Sequence, residues 1–366
     1  MISLYDLRRK QLIAYMEQKK IDTALITSPV NVYYFTGFSC NPHERFLALA
    51  VDRSGCDWLF VPSLDLDAAR LHSSVQHLVP ISDIDDPMVV LEQNIGNNVA
   101  WFGVEKNDIQ MVRFEQLQGT FPKAGFISLE DLIMSLRLKK SENEAAKVRL
   151  AVDVVQKAIE YATQKAVIGM TELELVAELE YQMKCLGGEK LAFDSIVLAG
   201  TNSALPHGKP GSTPFRQNDF ILIDIGVHVE GFCSDISRTF IMGEGTKAQE
   251  HIYETVLAAN LQAIGAINVG TPFGALDRAA RSAISSQGYG PYFTHRVGHG
   301  FGLEGHEPPS IHGQNEMIIE PGMLFTIEPG VYVPSIGGVR IEDDIFIKED
   351  GSVEVLTNYP KALRRL

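Results

Sequence analysis

Short apolar runs alternate with amphipathic stretches over the first third of the chain, the rhythm of strands separated by helices. MISLYDLRRKQLIAYMEQKK (residues 1–20) spreads charges among its apolar positions and predicts an amphipathic helix, not a signal peptide. DTALITS (22–28) predicts a strand, and PVNVYYFTGF a short helix opened by Pro29. RFLALAVD and DWLFVP predict a hairpin around the turn Arg53-Ser54-Gly55. LDLDAARLH, DPMVVLEQNI and QMVRFEQLQ read as short helices between strands such as NVAWFGV. The pattern predicts an α/β domain over residues 1–137. Neither GxxxxGK[ST] nor a GxGxxG following a strand occurs, so no nucleotide loop is expected.

A boundary falls in LRLKKSENEAA (136–146), where a charged patch leads through Ser141 and Glu144, an S-x-x-E capping box, into a long helix. That helix is predicted to run to about Val167, and Thr171 with Glu174 starts another that Gly187-Gly188 ends. FDSIVLAG predicts a strand. Helices follow over roughly 246–268 and 272–287, then a Gly/His-rich loop (295–313), then strands LFTIEPGVYV and GGVRIEDDIFI. Residues 138–366 are thus expected to form an α+β domain with helices on one side of a largely antiparallel sheet.

Within it, ILIDIGVHVEGFCSDISRTF (221–240) reads as two strands and a tight turn, with Gly231 able to take the left-handed conformation. A loop centred between Val229 and Glu230 puts Asp224 directly opposite Asp235, with Cβ atoms roughly 5 Å apart. Opposed like charges destabilise a sheet, and burial makes that worse. Either one carboxyl keeps its proton or cations sit between the two. Solvated aspartates on an open face fit poorly with the apolar residues that separate them.

Composition narrows the partners. The 366 residues are 45% hydrophobic and 21% charged, ordinary for a globular protein of one large or two average domains. The net charge of −14 disfavours a nucleic-acid partner and suits a protein that holds carboxylates for cations. No apolar run reaches the ~18 residues of a membrane span. Cys40, Cys56, Cys185 and Cys233 are scattered without a CxxC pair, as expected of buried thiols in a reducing cytoplasm.

Downstream of the paired aspartates lie His299 in RVGHGFG, Glu328 in FTIEPGVY and Glu342 in GVRIEDD, each where a strand or Gly-rich loop would point one polar group inward. Four carboxylates and one imidazole are a hard, oxygen-rich set. It suits divalent first-row ions sharing carboxylates, Mn²⁺ before Zn²⁺, Co²⁺ or Fe²⁺, and lacks the thiolates of a structural zinc site. His207 in ALPHGKP and the pair His295 and His306 in THRVGHGFGLEGHEPP lie in loops near these positions.

These spaced motifs over 141–366 resemble the metallopeptidases of the pita-bread fold, in particular the branch that cleaves Xaa-Pro bonds, prolidase and aminopeptidase P. TGF and RFLALAV in the first half resemble the creatinase/prolidase N-terminal domain. The resemblance implies two divalent metal ions per chain held by Asp224, Asp235, His299, Glu328 and Glu342. In it Asp235 and Glu342 bridge both ions, Asp224 completes one shell, and His299 and Glu328 complete the other. It also implies substrate histidines at His207, His295 and His306, and a ligand-orienting Arg340 expected to make a bidentate pair. A hydroxide bridging the metals would attack the Xaa carbonyl, with Glu328 passing the proton to the prolyl nitrogen. A non-peptidase hydrolase or lyase, or a binding module, on this fold would be expected to lose ligands; none is lost. One departure is Ser310 after HEPP, where dipeptidases often carry an arginine for the proline carboxylate. Tolerance of residues beyond proline is therefore expected. The resemblance further implies a homodimer, with the loop SCNPHERF (39–46) and its His43 reaching the partner's cleft.

Overall fold

The computed structural model describes residues 3–366, so the first two positions of the predicted N-terminal helix lie outside the described residues. The chain divides into two units, Met1–Arg137 and Leu138–Leu366.

In the first unit the order is α1 (Leu4–Lys19), β1 (Thr23–Ile26), α2 (Pro29–Thr36), β2 (Ala48–Asp52), β3 (Asp57–Pro62), α3 (Leu66–His72), β4 (His77–Ile81), α4 (Pro87–Ile95), β5 (Trp101–Val104), α5 (Met111–Thr120), β6 (Gly125–Ser128) and α6 (Glu130–Arg137). Its six-stranded sheet runs β4-β3-β2-β1-β5-β6. The β1–β2 and β2–β3 pairs are antiparallel, as a tight hairpin allows. The β3–β4, β1–β5 and β5–β6 pairs are parallel, so each needs a crossover, and α3 and α5 serve two of them. Strands β4 and β6 escape sequence reading for one reason. They are the sheet edges and mostly half-exposed, and β4 holds Pro80, so neither carries a clear apolar pattern.

The second unit follows with α7 (Glu142–Thr163), α8 (Glu172–Cys185), β7 (Lys190–Leu191), β8 (Ile196–Ala199), β9 (Phe220–Ile225), β10 (Val227–Val229), β11 (Phe232–Cys233), β12 (Ile236–Ile241), α9 (Lys247–Gly265), α10 (Phe273–Ser286), β13 (Gly298–Gly300), β14 (Glu307–Ile311), β15 (Leu324–Ile327), β16 (Gly330–Val333), β17 (Gly337–Arg340), β18 (Asp343–Ile347) and β19 (Val353–Val355). Both expected capping boxes form, Ser141 with Glu144 and Thr171 with Glu174. The strands pair antiparallel throughout, but in four small sheets: β11-β10-β7, β12-β9-β8, β14-β13-β15-β18-β19 and β16-β17. Two apolar clusters cover them. Val155, Ile159, Leu175 and Leu179 of α7 and α8 pack on Ile221, Ile223 and Ile225. Val256, Phe273 and Ile284 of α9 and α10 pack on Phe325, Ile327 and Ile345. Each such side chain, buried, stabilises by ~1.5–3 kcal/mol.

Three local expectations need correction. Residues 295–313 are not only loop, since β13 and β14 lie within them. LFTIEPGVYV is two strands broken at Glu328-Pro329, and GGVRIEDDIFI is two broken at Ile341-Glu342, with the halves in different sheets. The hairpin register is also displaced. The turn sits at Glu230-Gly231, both with left-handed φ of 50° and 79°, and pairs His228 with Cys233 and Asp224 with Ser237. Asp235 therefore does not face Asp224. It lies in the gap between β11 and β12, two residues before Ser237.

Candidate active site

Three of the five proposed ligands sit where the backbone leaves one sheet for another: Asp235 between β11 and β12, Glu328 between β15 and β16, Glu342 between β17 and β18. At such breaks the side chain is freed from the alternation of a strand and can point into the space between sheets. Asp224 on β9 and His299 on β13 complete the set. Asp224, Asp235 and Glu342 each offer an oxygen within 4.8 Å of the others; His299, Glu328 and Glu342, and likewise Asp235, His299 and His306, each bring an imidazole nitrogen or a carboxylate oxygen equally close. Glu342, Asp235 and His299 each belong to two of these groups.

The imidazole of His299 is oriented by its neighbour. Nδ1 lies 3.0 Å from the Gly300 carbonyl, which can only accept, so Nδ1 carries the proton and Nε2 is left as a lone pair. That Nε2 faces Glu328 Oε1 at 3.5 Å and Asp235 Oδ2 at 3.8 Å. Burial, then the neighbouring His306, push the imidazole down to about 3, so it stays neutral. The carboxyls move the other way. Burial raises Asp235 well above its ordinary value, with Glu342 and Asp224 adding to it. Burial and the charges of Glu328 and Asp224 raise Glu342 likewise, and Glu328 is pushed up to about 7, chiefly by burial. Carboxylates so crowded cannot all ionise without a positive charge among them.

The protein supplies one such charge, from the side. Arg340 Nη2 donates to Asp224 Oδ2, Nε donates to Ser237 Oγ at 2.8 Å, and Nη1 donates to Tyr332 Oη at 2.9 Å. Ser237 Oγ in turn donates to Glu342 Oε2 at 2.8 Å. The expected bidentate pair does not form. The guanidinium divides its donors and so fixes two carboxylates, Asp224 directly and Glu342 through Ser237. Asp224 Oδ1 remains buried without any hydrogen-bond partner. That orphan oxygen, the neutral lone pair of His299 and the unpaired carboxylates together fit divalent cations of the oxygen-preferring kind.

His306 is exposed, its ring centroid 3.9 Å from that of His299, and His207 is exposed in the loop whose Pro206 carbonyl accepts from Arg340 Nη1 at 3.4 Å. His295 differs from expectation. Its Nδ1 donates to the Arg296 carbonyl at 2.7 Å, and its Nε2 accepts from Tyr332 Oη at 2.9 Å. Burial, with Arg340 nearby, lowers it to about 4 and keeps it neutral. With both nitrogens held by protein, His295 anchors Tyr332, and through it Arg340, and offers no nitrogen to a substrate.

Sequence reading missed Tyr332, Ser237 and Asp344. Ser237 is two residues from Asp235, and Asp344 two from Glu342, so the period-two rule could have marked both. Asp344 Oδ2 accepts from the Asp235 N–H at 3.1 Å and secures the backbone at the strand break. Tyr332 carried no local signal. Arg296 places Nη1 3.0 Å from Ser310 Oγ.

The chain matches the model of metallopeptidase family M24 over residues 146–349 and that of the creatinase/prolidase N-terminal domain over 8–139. It is 39% identical to an uncharacterized peptidase of Staphylococcus aureus strain MW2, over 96% of this chain and 99% of the relative. Among solved structures, the prolidase of Pyrococcus horikoshii OT3 is 34% identical with a TM-score of 0.91, over 97% of this chain and 99% of the other. The X-Pro aminopeptidase of Thermotoga maritima MSB8 is 31% identical with a TM-score of 0.88, over 96% and 100%.

Proposed function

This chain belongs to metallopeptidase family M24, and from that premise we propose that it is a metal-dependent Xaa-Pro exopeptidase whose preferred substrates are Xaa-Pro dipeptides. The likeness to a prolidase and an X-Pro aminopeptidase supports the bond cleaved. The observation that carries the choice of dipeptide is the Arg296 guanidinium against Ser310. It weighs against the tolerance of residues beyond proline expected from the missing arginine after HEPP. On this reading the cation comes instead from the segment leading into β13, where it can grip the free carboxylate of a C-terminal proline.

Asp224, Asp235, His299, Glu328 and Glu342 would hold two divalent ions, with Asp235 and Glu342 shared; manganese suits the oxygen-rich set. When bound, the ions supply an acidified water and polarise the scissile carbonyl. Asp224 and Glu328 are less buried than Asp235, with side chains 13% and 15% exposed against 5%. Asp224 is tied to Arg340 through Oδ2 and its unpartnered Oδ1 is buried, so the proton of the attacking water is assigned to Glu328, the more exposed of the two. It hands that proton to the prolyl nitrogen, which as a tertiary amide carries none. His306 and His207, exposed beside the set, bind the substrate and the developing oxyanion.

A homodimer is part of the proposal. His43 stands exposed at φ 54° beside a cavity of about 190 Å³ that Arg45, Asp108 and Arg113 also line, a loop tip suited to touch the substrate of a second copy. Of the four cysteines expected to be buried only Cys233 is, Cys40 being half-buried and Cys56 and Cys185 exposed; all four are free, which supports a cytoplasmic setting.

Manganese-loaded protein should cut an Xaa-Pro dipeptide at least ~10-fold faster than the matching Xaa-Pro-Yaa tripeptide, a gap of about 1.4 kcal/mol. Arg296→Gln should abolish that preference. Equal rates would defeat the dipeptidase assignment alone; no cleavage of either would defeat the peptidase assignment.

A further inference from the structure

Glu307 follows His306 directly and is almost wholly buried, with 2% of its side chain exposed. Such a glutamate is rare without a partner. Its partner is Lys140, 4% exposed, whose Nζ lies 2.9 Å from Oε2. The other oxygen, Oε1, accepts the N–H groups of Leu303 at 2.9 Å and Glu304 at 3.1 Å. One carboxylate thus closes the turn 303–307 upon itself and ties it to the segment that opens the second unit. Gly302 is needed for this approach, because a Cβ there would meet Lys140 Cε at 2.6 Å. The Gly302 carbonyl is taken by the Cys233 N–H at 2.8 Å, two residues before Asp235. The turn that carries the exposed His306 is therefore clamped from both ends, and His306 is the polar side chain it holds against His299.

We propose that Lys140 and Glu307 are a positioning pair for His306, setting the place of its imidazole over the reacting centre without touching substrate or metal. The proposal rests on the Xaa-Pro peptidase assignment. Breaking one side of a buried ion pair strands a charge, so the test replaces both. In Lys140→Met/Glu307→Gln the stem still fills the space beside Gly302, and the amide oxygen still accepts the two backbone N–H groups. Expected are unchanged metal content, a kcat on an Xaa-Pro dipeptide lowered at least ~10-fold, and a KM that moves less than about threefold. The decisive measurement is coupling. Adding His306→Ala to the double replacement should cost little more than His306→Ala alone, because the pair acts through that ring. Multiplicative losses, or a double replacement with wild-type kcat, would overturn the proposal. If the double replacement does not fold, Lys140→Arg keeps the charge and alters the reach; the same non-additivity with His306→Ala is expected, and additive losses overturn the proposal equally. An inactive wild type would instead defeat the peptidase assignment.

Discussion

Glu342 and Asp343 are chain neighbours, both almost fully buried, and they live in opposite electrostatic worlds. Asp343 meets Arg238 Nη2 at 2.9 Å, Lys361 Nζ at 2.8 Å and Thr357 Oγ1 at 2.8 Å. Burial pushes its carboxyl up, but Arg238 and Lys361 outweigh burial and hold it below its ordinary value. Glu342 faces Glu328 and Asp224 across the gap and is pushed well above its ordinary value. One residue of chain turns a carboxylate from a charge the protein neutralises itself into one whose neutralising charge must come from outside. A buried carboxylate with its cation built in marks architecture. A cluster holding more carboxylates than its one cation, Arg340, can neutralise marks a site.

The sharpest way to break this comparison is to neutralise each residue in turn. Asp343→Asn strands Arg238 and Lys361 and should lower stability by about 3–5 kcal/mol with or without metal. Glu342→Gln removes a repulsive charge, so the metal-free protein should melt no lower than wild type. Added manganese should then fail to raise its melting temperature, and activity should fall by roughly three orders of magnitude. Thermal scans of both variants with and without manganese decide it. A metal-free Glu342→Gln protein as unstable as Asp343→Asn would erase the distinction.

Arg340 stands between the two worlds, a built-in cation spent on the site. Lysine could keep its charge but not serve Asp224, Ser237 and Tyr332 at once. Arg340→Lys should cost about 100-fold in kcat while leaving the fold intact, which steady-state kinetics beside a thermal scan will show. Full activity would reduce the residue to a buried counter-charge.

The smallest effect belongs to a third kind of buried carboxylate. In the first unit Glu105 accepts from the N–H groups of Thr27 at 2.6 Å and Ser28 at 2.9 Å, where α2 begins, and from Asn31 Nδ2 at 2.6 Å. Burial still outweighs these donors and raises it to about 7. A folded value above the unfolded one means the native state binds more protons between the two. The stability this proton lends is thus present below about 4.5 and lost as pH rises through about 7, a loss on the order of 3 kcal/mol. Glu105→Gln should flatten the dependence of the melting temperature on pH between 5 and 7.5. An unchanged slope would show that three donors suffice to keep a buried carboxylate ionised.

Much of this was legible in the chain. The strands β1, β2, β3 and β5, the capping boxes at Ser141 and Thr171, and the four long helices of the second unit follow from local periodicity and end signals, which depend on residues a few positions apart. Which residue types carry chemistry was also legible, because polar side chains in apolar surroundings stand out one at a time. The edge strands β4 and β6 were not, since half-exposed strands alternate weakly.

What tertiary structure alone decided is how distant segments meet. That Asp224 pairs with Ser237 rather than Asp235 turned on where a two-residue turn fell. That Glu328 and Glu342 occupy strand breaks turned on which sheet each half-strand could join. The ties of Arg340 to Asp224 and of Lys140 to Glu307 span 116 and 167 residues of sequence. No periodic pattern encodes separations of that size; they exist only because buried charges must find partners once the apolar faces have packed.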